Sequence, residues 1–210
     1  MRCFVSKRRI GKFRIIVLTI TMSMVSGLLV YGQDDPTAAV KSMVDEVIGI
    51  LKKKELKGEA KTQERRTLLE EAVGRRLDYE EMAKRTLAMH WRKRTLSEQK
   101  EFVSTFRAFL SKNYAKRLET YSDEAVEYTK VRLKGSFAEV QTQIKSPKTE
   151  LNLDYRLVHR ADGWWIYDIV INGVSLIRNY RDQFERVIKT SSYEELVTKL
   201  RDRTEEISTP

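Results

Sequence analysis

The sequence predicts an α+β domain: helices packed on a curved antiparallel sheet of four or more strands, a shell that can enclose either a core or a cavity. Three observations predict it. Apolar residues recur at helical spacing through the first half of the chain, the apolar period changes from 3.6 to 2 near Ala125, and short turn signals then separate alternating runs. With 210 residues, 41% of them hydrophobic and 33% charged, the chain is large enough to bury a real core and too apolar for a disordered tail.

The first element is not part of that domain. Arg2, Lys7, Arg8, Arg9, Lys12 and Arg14 precede any acidic residue, and an uncharged stretch from Ile15 to Gln33 follows, closing on Val30, Tyr31 and Gly32. A basic head, an apolar middle and small residues at the end form a secretory signal peptide, here residues 1–32 with cleavage after Gly32, leaving an exported domain of residues 33–210. An uncleaved anchor is the competing reading, because 19 uncharged residues approach the ~20 that span a bilayer. Thr19, Thr21, Ser23 and Ser26 weaken it. Cys3, the one cysteine, has no lipobox before it and leaves with the signal, so the exported chain has no disulfide, thiol nucleophile or thiolate metal ligand.

From Pro36 to Leu56, Val40, Met43, Val44, Val47, Ile48 and Leu51 fall on one helical stripe, with Pro36 in the first turn. Gly58 ends it. Helices follow over about Thr62 to Leu77, carrying Leu68, Leu69, Ala72 and Val73, and over about Tyr79 to Trp91. Thr95 and Glu98 have the spacing of a capping box, and behind them Phe102, Phe106, Phe109, Leu110, Tyr114, Leu118 and Tyr121 give a long helix an aromatic stripe.

Alternating runs then occupy residues 125–133, 136–146, 149–160 and 164–172, divided at Gly135-Ser136, Ser146-Pro147-Lys148 and Ala161-Asp162-Gly163. That is the pattern of an antiparallel meander. In the last run Trp165, Tyr167, Ile169 and Ile171 share one face and Trp164, Ile166 and Val170 the other, which predicts a central strand covered on both sides. Asn172-Gly173 leads into two closing helices, about Val174 to Lys189 and Ser192 to Ile207.

Net charge +10 and a pI near 9.6 invite a nucleic-acid reading. The six basic residues of the leader account for most of it, and beyond them the balance is 34 against 30, or +4, so no nucleic-acid partner is predicted. His90 and His159 are the only imidazoles, and both read as scaffold residues. Ser175, within Gly173-Val174-Ser175-Leu176, lacks the second glycine of a nucleophile elbow. No metalloprotease helix, phosphate loop or dinucleotide fingerprint occurs, so the chain reads as a binding protein without enzymatic activity, cofactor or metal. The basic clusters Arg65-Arg66, Arg75-Arg76 and Arg92-Lys93-Arg94 read as solvated faces, with an alternative for the last: contact with a lipid phosphate or an acidic partner. The converging aromatic and aliphatic surface has two readings, an ordinary core or a lipid cavity between the long helix and the sheet, and composition does not separate them.

From Leu77 onward the sequence resembles the periplasmic phospholipid carriers of the Mla lipid-asymmetry system, also called the toluene-tolerance family. The resemblance rests on Asp78-Tyr79-Glu80-Glu81-Met82-Ala83, on Leu87, Trp91, Ser97, Gln99, Phe102, Phe106 and Tyr114, and most firmly on a closing block. That block runs Gly163, Trp164, Tyr167, Asp168, Ile171, Gly173, Val174, Ser175, Leu176, Asn179, Tyr180, Arg181, Gln183 and Phe184. Two departures are visible: Ala88 stands where the family commonly has Gly before the Trp, and Asn172 stands where an acid often precedes the Gly.

The resemblance implies a monomeric periplasmic shuttle that carries phospholipid between an outer-membrane lipoprotein complex and an inner-membrane ABC transporter complex, maintaining outer-membrane lipid asymmetry. Bound phospholipid is then cargo, held with its tails between sheet and helices. Carried onto this chain, the implied lipid-binding residues are Phe102, Phe106, Leu110, Tyr114, Tyr155, Leu157, Trp165, Tyr167, Ile169, Val174, Ile177, Tyr180 and Phe184. Asp168, Gly173, Asn179 and Arg181 form a structural motif in which Asp168 and Arg181 hold the turn to the closing helix. Alternatives are an exported protein-interaction module with a filled core, and a carrier of another lipid such as a hopanoid.

Overall fold

A computed structural model describes residues 35–119, 125–145 and 150–208. The segment expected to be a signal, with Cys3 and the expected cleavage after Gly32, and likewise Tyr121 and the expected turn at Ser146-Pro147-Lys148, lie outside the described residues. Among those described, no helix is long and apolar enough to cross a membrane.

Helix α1 spans Pro36–Lys52. Asp35 caps it, its Oδ1 accepting from the Thr37 N–H at 2.8 Å. Its buried face is Ala39, Val40, Met43 and Ile50. It stops four residues earlier than the periodicity predicts, because Lys53 is extended and the chain re-enters as a 3-10 turn over Lys54–Leu56. Helix α2 (Thr62–Gly74) packs Leu69 and Ala72 onto Ile50 and Leu56, a small core separate from the main one.

Helix α3 (Tyr79–Leu87) starts on Asp78, whose Oδ1 accepts from the Glu81 N–H at 2.9 Å, and stops at Ala88. A 3-10 turn over Ala88–Lys93 follows. Helix α4 (Leu96–Glu119) opens with the predicted capping box: Glu98 N–H donates to Thr95 Oγ1 at 3.2 Å and Thr95 N–H to Glu98 Oε2 at 2.7 Å.

The sheet is an antiparallel meander in sequence order: β1 (Ala125–Lys134), β2 (Phe137–Lys145), β3 (Glu150–Arg160), β4 (Gly163–Ile171) and β5 (Val174–Ser175). Strand β5 is a correction to the sequence reading. Asn172 and Gly173 have φ of 48° and 81°, the paired positive values that a two-residue hairpin turn requires, so the chain folds back as a strand before the helix. Two residues are too few to show an alternation. Strand β4 is interior, as the sequence predicts: β3 covers one edge, while β5 and the backbone of residues 76–78 cover the other. There Ile166 N–H donates to Arg76 O and Asp78 N–H to Ile166 O, both at 2.8 Å.

Two register shifts decide which face each side chain takes. Pairing passes from Arg156↔Asp168 to Leu157↔Ile166, which leaves Tyr167 as an extra residue, and a second shift leaves Thr129 extra in β1. Cross-strand partners share a face. The inner face therefore carries Ala138, Val140, Thr142, Leu153, Tyr155, Leu157, Ile166 and Ile169, and the outer face carries Glu139, Arg156, Val158, Trp165 and Asp168.

Helix α1 lies against β2 and β4, and α5 (Leu176–Thr190) bridges β4, α3 and α6 (Tyr193–Ser208). Helix α4 lies mainly on α6 and α3. One core joins α1, α3, α4, α5, α6 and the inner face of the sheet.

Candidate functional site

The predicted site residues fall into three groups. In the first, Phe102 and Phe106 of α4 stack at 5.9 Å, and each meets Phe184 of α5 edge-on at 6.0 and 5.6 Å. Tyr180 meets Phe106 edge-on at 5.7 Å and stacks on Phe184 at 5.6 Å. Such pairs contribute about 0.5–1.5 kcal/mol each beyond area burial. Phe102, Phe106, Leu110, Ile177, Tyr180 and Phe184 are all buried, so they form the wall between helices. Tyr193 of α6 belongs to this wall and was missed: its ring lies 6.1 Å from Phe102, its hydroxyl donates to Glu98 O at 3.2 Å, and Arg94 covers it at 4.4 Å. Tyr114 stands at the polar end, its hydroxyl 3.4 Å from that of Tyr180, which also accepts from Asn113 Nδ2 at 3.2 Å.

The second group lies on the inner face. Tyr155 and Leu157 are buried and Ile169 half-buried, opposite Val140 and Ala138 of β2. Burial pushes the Tyr155 hydroxyl well above the ordinary range, and the neighbouring Tyr128 adds to the shift. Tyr128, on β1 opposite Thr142, is pushed up to about 12 by burial, with Asp45 of α1 adding, and its buried hydroxyl has no hydrogen-bond partner among the described residues. A buried unpaired hydroxyl costs about 1–3 kcal/mol, so it marks a place where a polar group is wanted. Further along β1, Val131 and Leu133 pair with Val140 and Ala138, yet they are 41% and 64% exposed. The inner face thus runs from the core under α1 to open solvent, with Asp45 of α1 near Tyr128 between them. Sequence reading missed Tyr128, Val131 and Leu133 because the extra residue at Thr129 breaks their common alternation.

The third group is displaced from its expected place. The extra residue at Tyr167 separates Trp165 and Tyr167 from Ile169: Trp165 pairs with Val158 on the outer face, and Tyr167 meets Phe137 edge-on at 6.0 Å beneath Arg85, whose guanidinium lies 4.0 Å from the ring. Val174, in the edge strand β5, is 60% exposed. Asn179 is exposed and accepts from Gln183 Nε2 at 3.2 Å.

Asp168 does hold the turn to α5, with a partner other than Arg181. Its carboxylate accepts from Ser175 Oγ at 2.6 Å, Ile177 N–H at 3.1 Å and Arg156 Nη1 at 3.0 Å, the last directly across the strand. Arg181 lies on the exposed side of α5 and approaches Asp182 at 3.9 Å. Beside Asp168, an open cleft of about 430 Å³ is lined by Lys84, Arg85, Ala88, Trp91, Arg92, Arg156, Tyr167, Ser175, Ile177, Arg178 and Arg181. His90 Nε2 is bonded to Glu185 Oε2 at 2.7 Å, and His159 meets Trp164 edge-on at 4.8 Å. No cluster able to hold a metal occurs among the described residues.

No curated protein matches this chain. Among solved structures, the chain is similar to the phospholipid-binding protein from Ralstonia solanacearum, solved in complex with a phospholipid. The two are 27% identical with a TM-score of 0.76, over 83% of this chain and 99% of that one. The model of the MlaC protein family matches residues 41–202, the span from α1 through most of α6. That match covers well over half of the chain, including the whole sheet and α5, and the chain belongs to the MlaC protein family.

Proposed function

We propose that the chain is a periplasmic phospholipid carrier whose cargo lies along the inner face of the sheet beneath α1, with its exit past Val131 and Leu133. One observation carries this reading: an apolar surface that is continuous from buried Val140, Tyr155 and Leu157 to the exposed pair, with the unpartnered Tyr128 hydroxyl beside it. The likeness to a structure holding a phospholipid supports the same cargo. Each methylene withdrawn from water gains ~0.8 kcal/mol, so an acyl tail crosses an aqueous space only inside a protein that covers it. The aromatic wall of α4, α5 and α6 belongs to the same core as these residues.

Family membership supports the wider role, exchange of lipid with an outer-membrane lipoprotein complex and an inner-membrane ABC transporter complex by a monomer that binds and does not catalyse. The basic and apolar leader supports export. The test is native mass spectrometry of the protein purified from the periplasm, followed by organic extraction. One diacyl phospholipid per chain is the expected result. A lipid-free protein that unfolds cooperatively and takes up no phospholipid from vesicles would overturn the proposal.

A further inference from the structure

The cleft beside Asp168 has a charge balance unlike the rest of the molecule. Its lining holds Lys84, Arg85, Arg92, Arg156, Arg178 and Arg181 against the single carboxylate of Asp168, while the whole chain beyond Arg14 carries 40 minus 6 cations against 30 acids, or +4. Elsewhere most arginines are paired, although Arg76 and Arg186 also lack a carboxylate partner among the described residues. Arg65 and Arg66 both bond Glu119, at 2.9 and 3.0 Å, and Arg160 bonds Asp78 at 2.6 Å. In the cleft Asp168 is already committed to Arg156, Ser175 and Ile177. Arg85 is held by Glu81 at 2.8 Å and by the Tyr167 ring. Arg92 and Arg178 have no carboxylate partner among the described residues, and Lys84 and Arg181 reach theirs only at 3.7 and 3.9 Å. Like charges gathered this way repel unless an anion joins them.

Shape and position narrow the anion. The cations stand on four separate elements, α3, the 3-10 turn after it, β3 and the first turns of α5, of which the Asp168 bonds tie β3 to the start of α5. Arg156 and Asp168 open the cleft on the outer face of the sheet, away from the inner face that faces α1, while Trp91 and Ile177 form its floor against the main core. A volume of about 430 Å³ suits a small headgroup and not a helix. Planar guanidinium forks on several sides match the oxygens of a phosphate, and the Tyr167 and Trp91 surfaces suit the carbon part of its ester.

We infer that this cleft is a second, polar site that binds a phosphate ester, presented either as a headgroup at a bilayer surface or as a soluble molecule. The inference does not rest on the cargo reading. It is tested by titration calorimetry with glycerol 3-phosphate and by flotation with phosphatidylglycerol vesicles against phosphatidylcholine vesicles. Binding of glycerol 3-phosphate identifies a site open to soluble esters, and binding of phosphatidylglycerol vesicles alone identifies a surface headgroup. Either is expected to weaken about tenfold for each fork removed in Arg178→Gln and Arg181→Gln, both exposed positions. A matched variant of the hairpin cations, Lys130→Gln with Arg132→Gln, is expected to change neither by more than about twofold. Failure of both probes to bind overturns the inference. So does equal weakening by the hairpin variant, or tighter binding of poly-glutamate, which would assign the cleft to an acidic protein. Copurifying lipid is expected to stay at the wild-type level in the cleft variants, and its loss in parallel would show the cleft to be part of the cargo site. Loss of the phosphate site leaves the carrier reading standing.

Discussion

Tyr155 and Arg156 are neighbours in β3 and face opposite worlds. Tyr155 points into an apolar layer with Val140 and Ile169, near a hydroxyl that has no partner, whereas Arg156 meets a carboxylate whose three hydrogen bonds tie β3, β5 and the start of α5 together. The inner face is therefore under-committed and the outer node fully committed. A surface that must release what it holds cannot saturate its own polar groups, while a surface that sets the geometry of a helix must. The extra residue at Tyr167 lets one strand serve both, because it moves Asp168 to the outer face and leaves Ile166 and Ile169 on the inner one.

The strongest way to break this comparison is to empty the outer node. Asp168→Ala leaves Arg156 with only Glu139, at 3.4 Å, and removes the acceptor for Ile177 N–H, so the expected cost is about 3 kcal/mol in denaturant unfolding. A double-mutant cycle of Asp168 with Arg156 is expected to show coupling above about 1 kcal/mol, and one with Arg181 none beyond about 0.5 kcal/mol. Equal coupling to both arginines would mean that the node extends along α5.

The inner face is expected to respond with the opposite sign. Tyr128→Phe removes a buried hydroxyl without a partner, so the lipid-free protein is expected to gain about 1 kcal/mol where Asp168→Ala loses several. The pH dependence follows from the raised pKa. A hydroxyl that titrates near 10.0 when unfolded and about 12 when folded contributes stability that is complete below pH 10.0 and is lost as the pH rises toward 12. Unfolding curves across that range are expected to fall less steeply for Tyr128→Phe. A loss of stability at neutral pH would show that the hydroxyl is satisfied and that the two faces do not differ in this way.

Much of this architecture was legible in the sequence, for local reasons. The Thr95 and Glu98 cap, the helical stripes and the change of period at Ala125 all act over a few residues, and the structure keeps them. The faces of β1 and β4 were not legible. A single inserted residue exchanges inner and outer positions, and nothing in the alternation of Trp165, Tyr167 and Ile169 records where it sits. For the same reason the partner of Asp168 was misassigned, since Arg156 comes opposite it only in the shifted register. The aromatic wall was found as residues, but its closure by Tyr193 depends on how α6 returns across α4.

A smaller effect is expected at the rim of the outer cleft. Ala88 ends α3 with φ of 48° and ψ of −117°, a conformation that costs an L residue about 1–3 kcal/mol and costs glycine little. Ala88→Gly is expected to gain about 1 kcal/mol, net of the added freedom of the unfolded chain, and to raise Tm by about 2–4 °C. An unchanged or lower Tm would place the strain elsewhere.

The smallest change in stability should come with a clear change in function. Leu133 is 64% exposed on the inner face at the end of β1, so Leu133→Asp is expected to alter unfolding free energy by no more than about 0.5 kcal/mol. If lipid leaves and enters along this strip, a carboxylate there must be passed by every acyl chain, and a barrier higher by ~1.4 kcal/mol slows uptake about tenfold. Transfer of a fluorescent phospholipid from vesicles into the wild type and the variant measures that rate. Leu96→Asp supplies the control: it is also exposed, at 76%, but lies at the start of α4, off the sheet. Equal slowing by the two variants would mean that added negative charge repels the vesicles, and slowing by Leu133→Asp alone assigns the exit to β1.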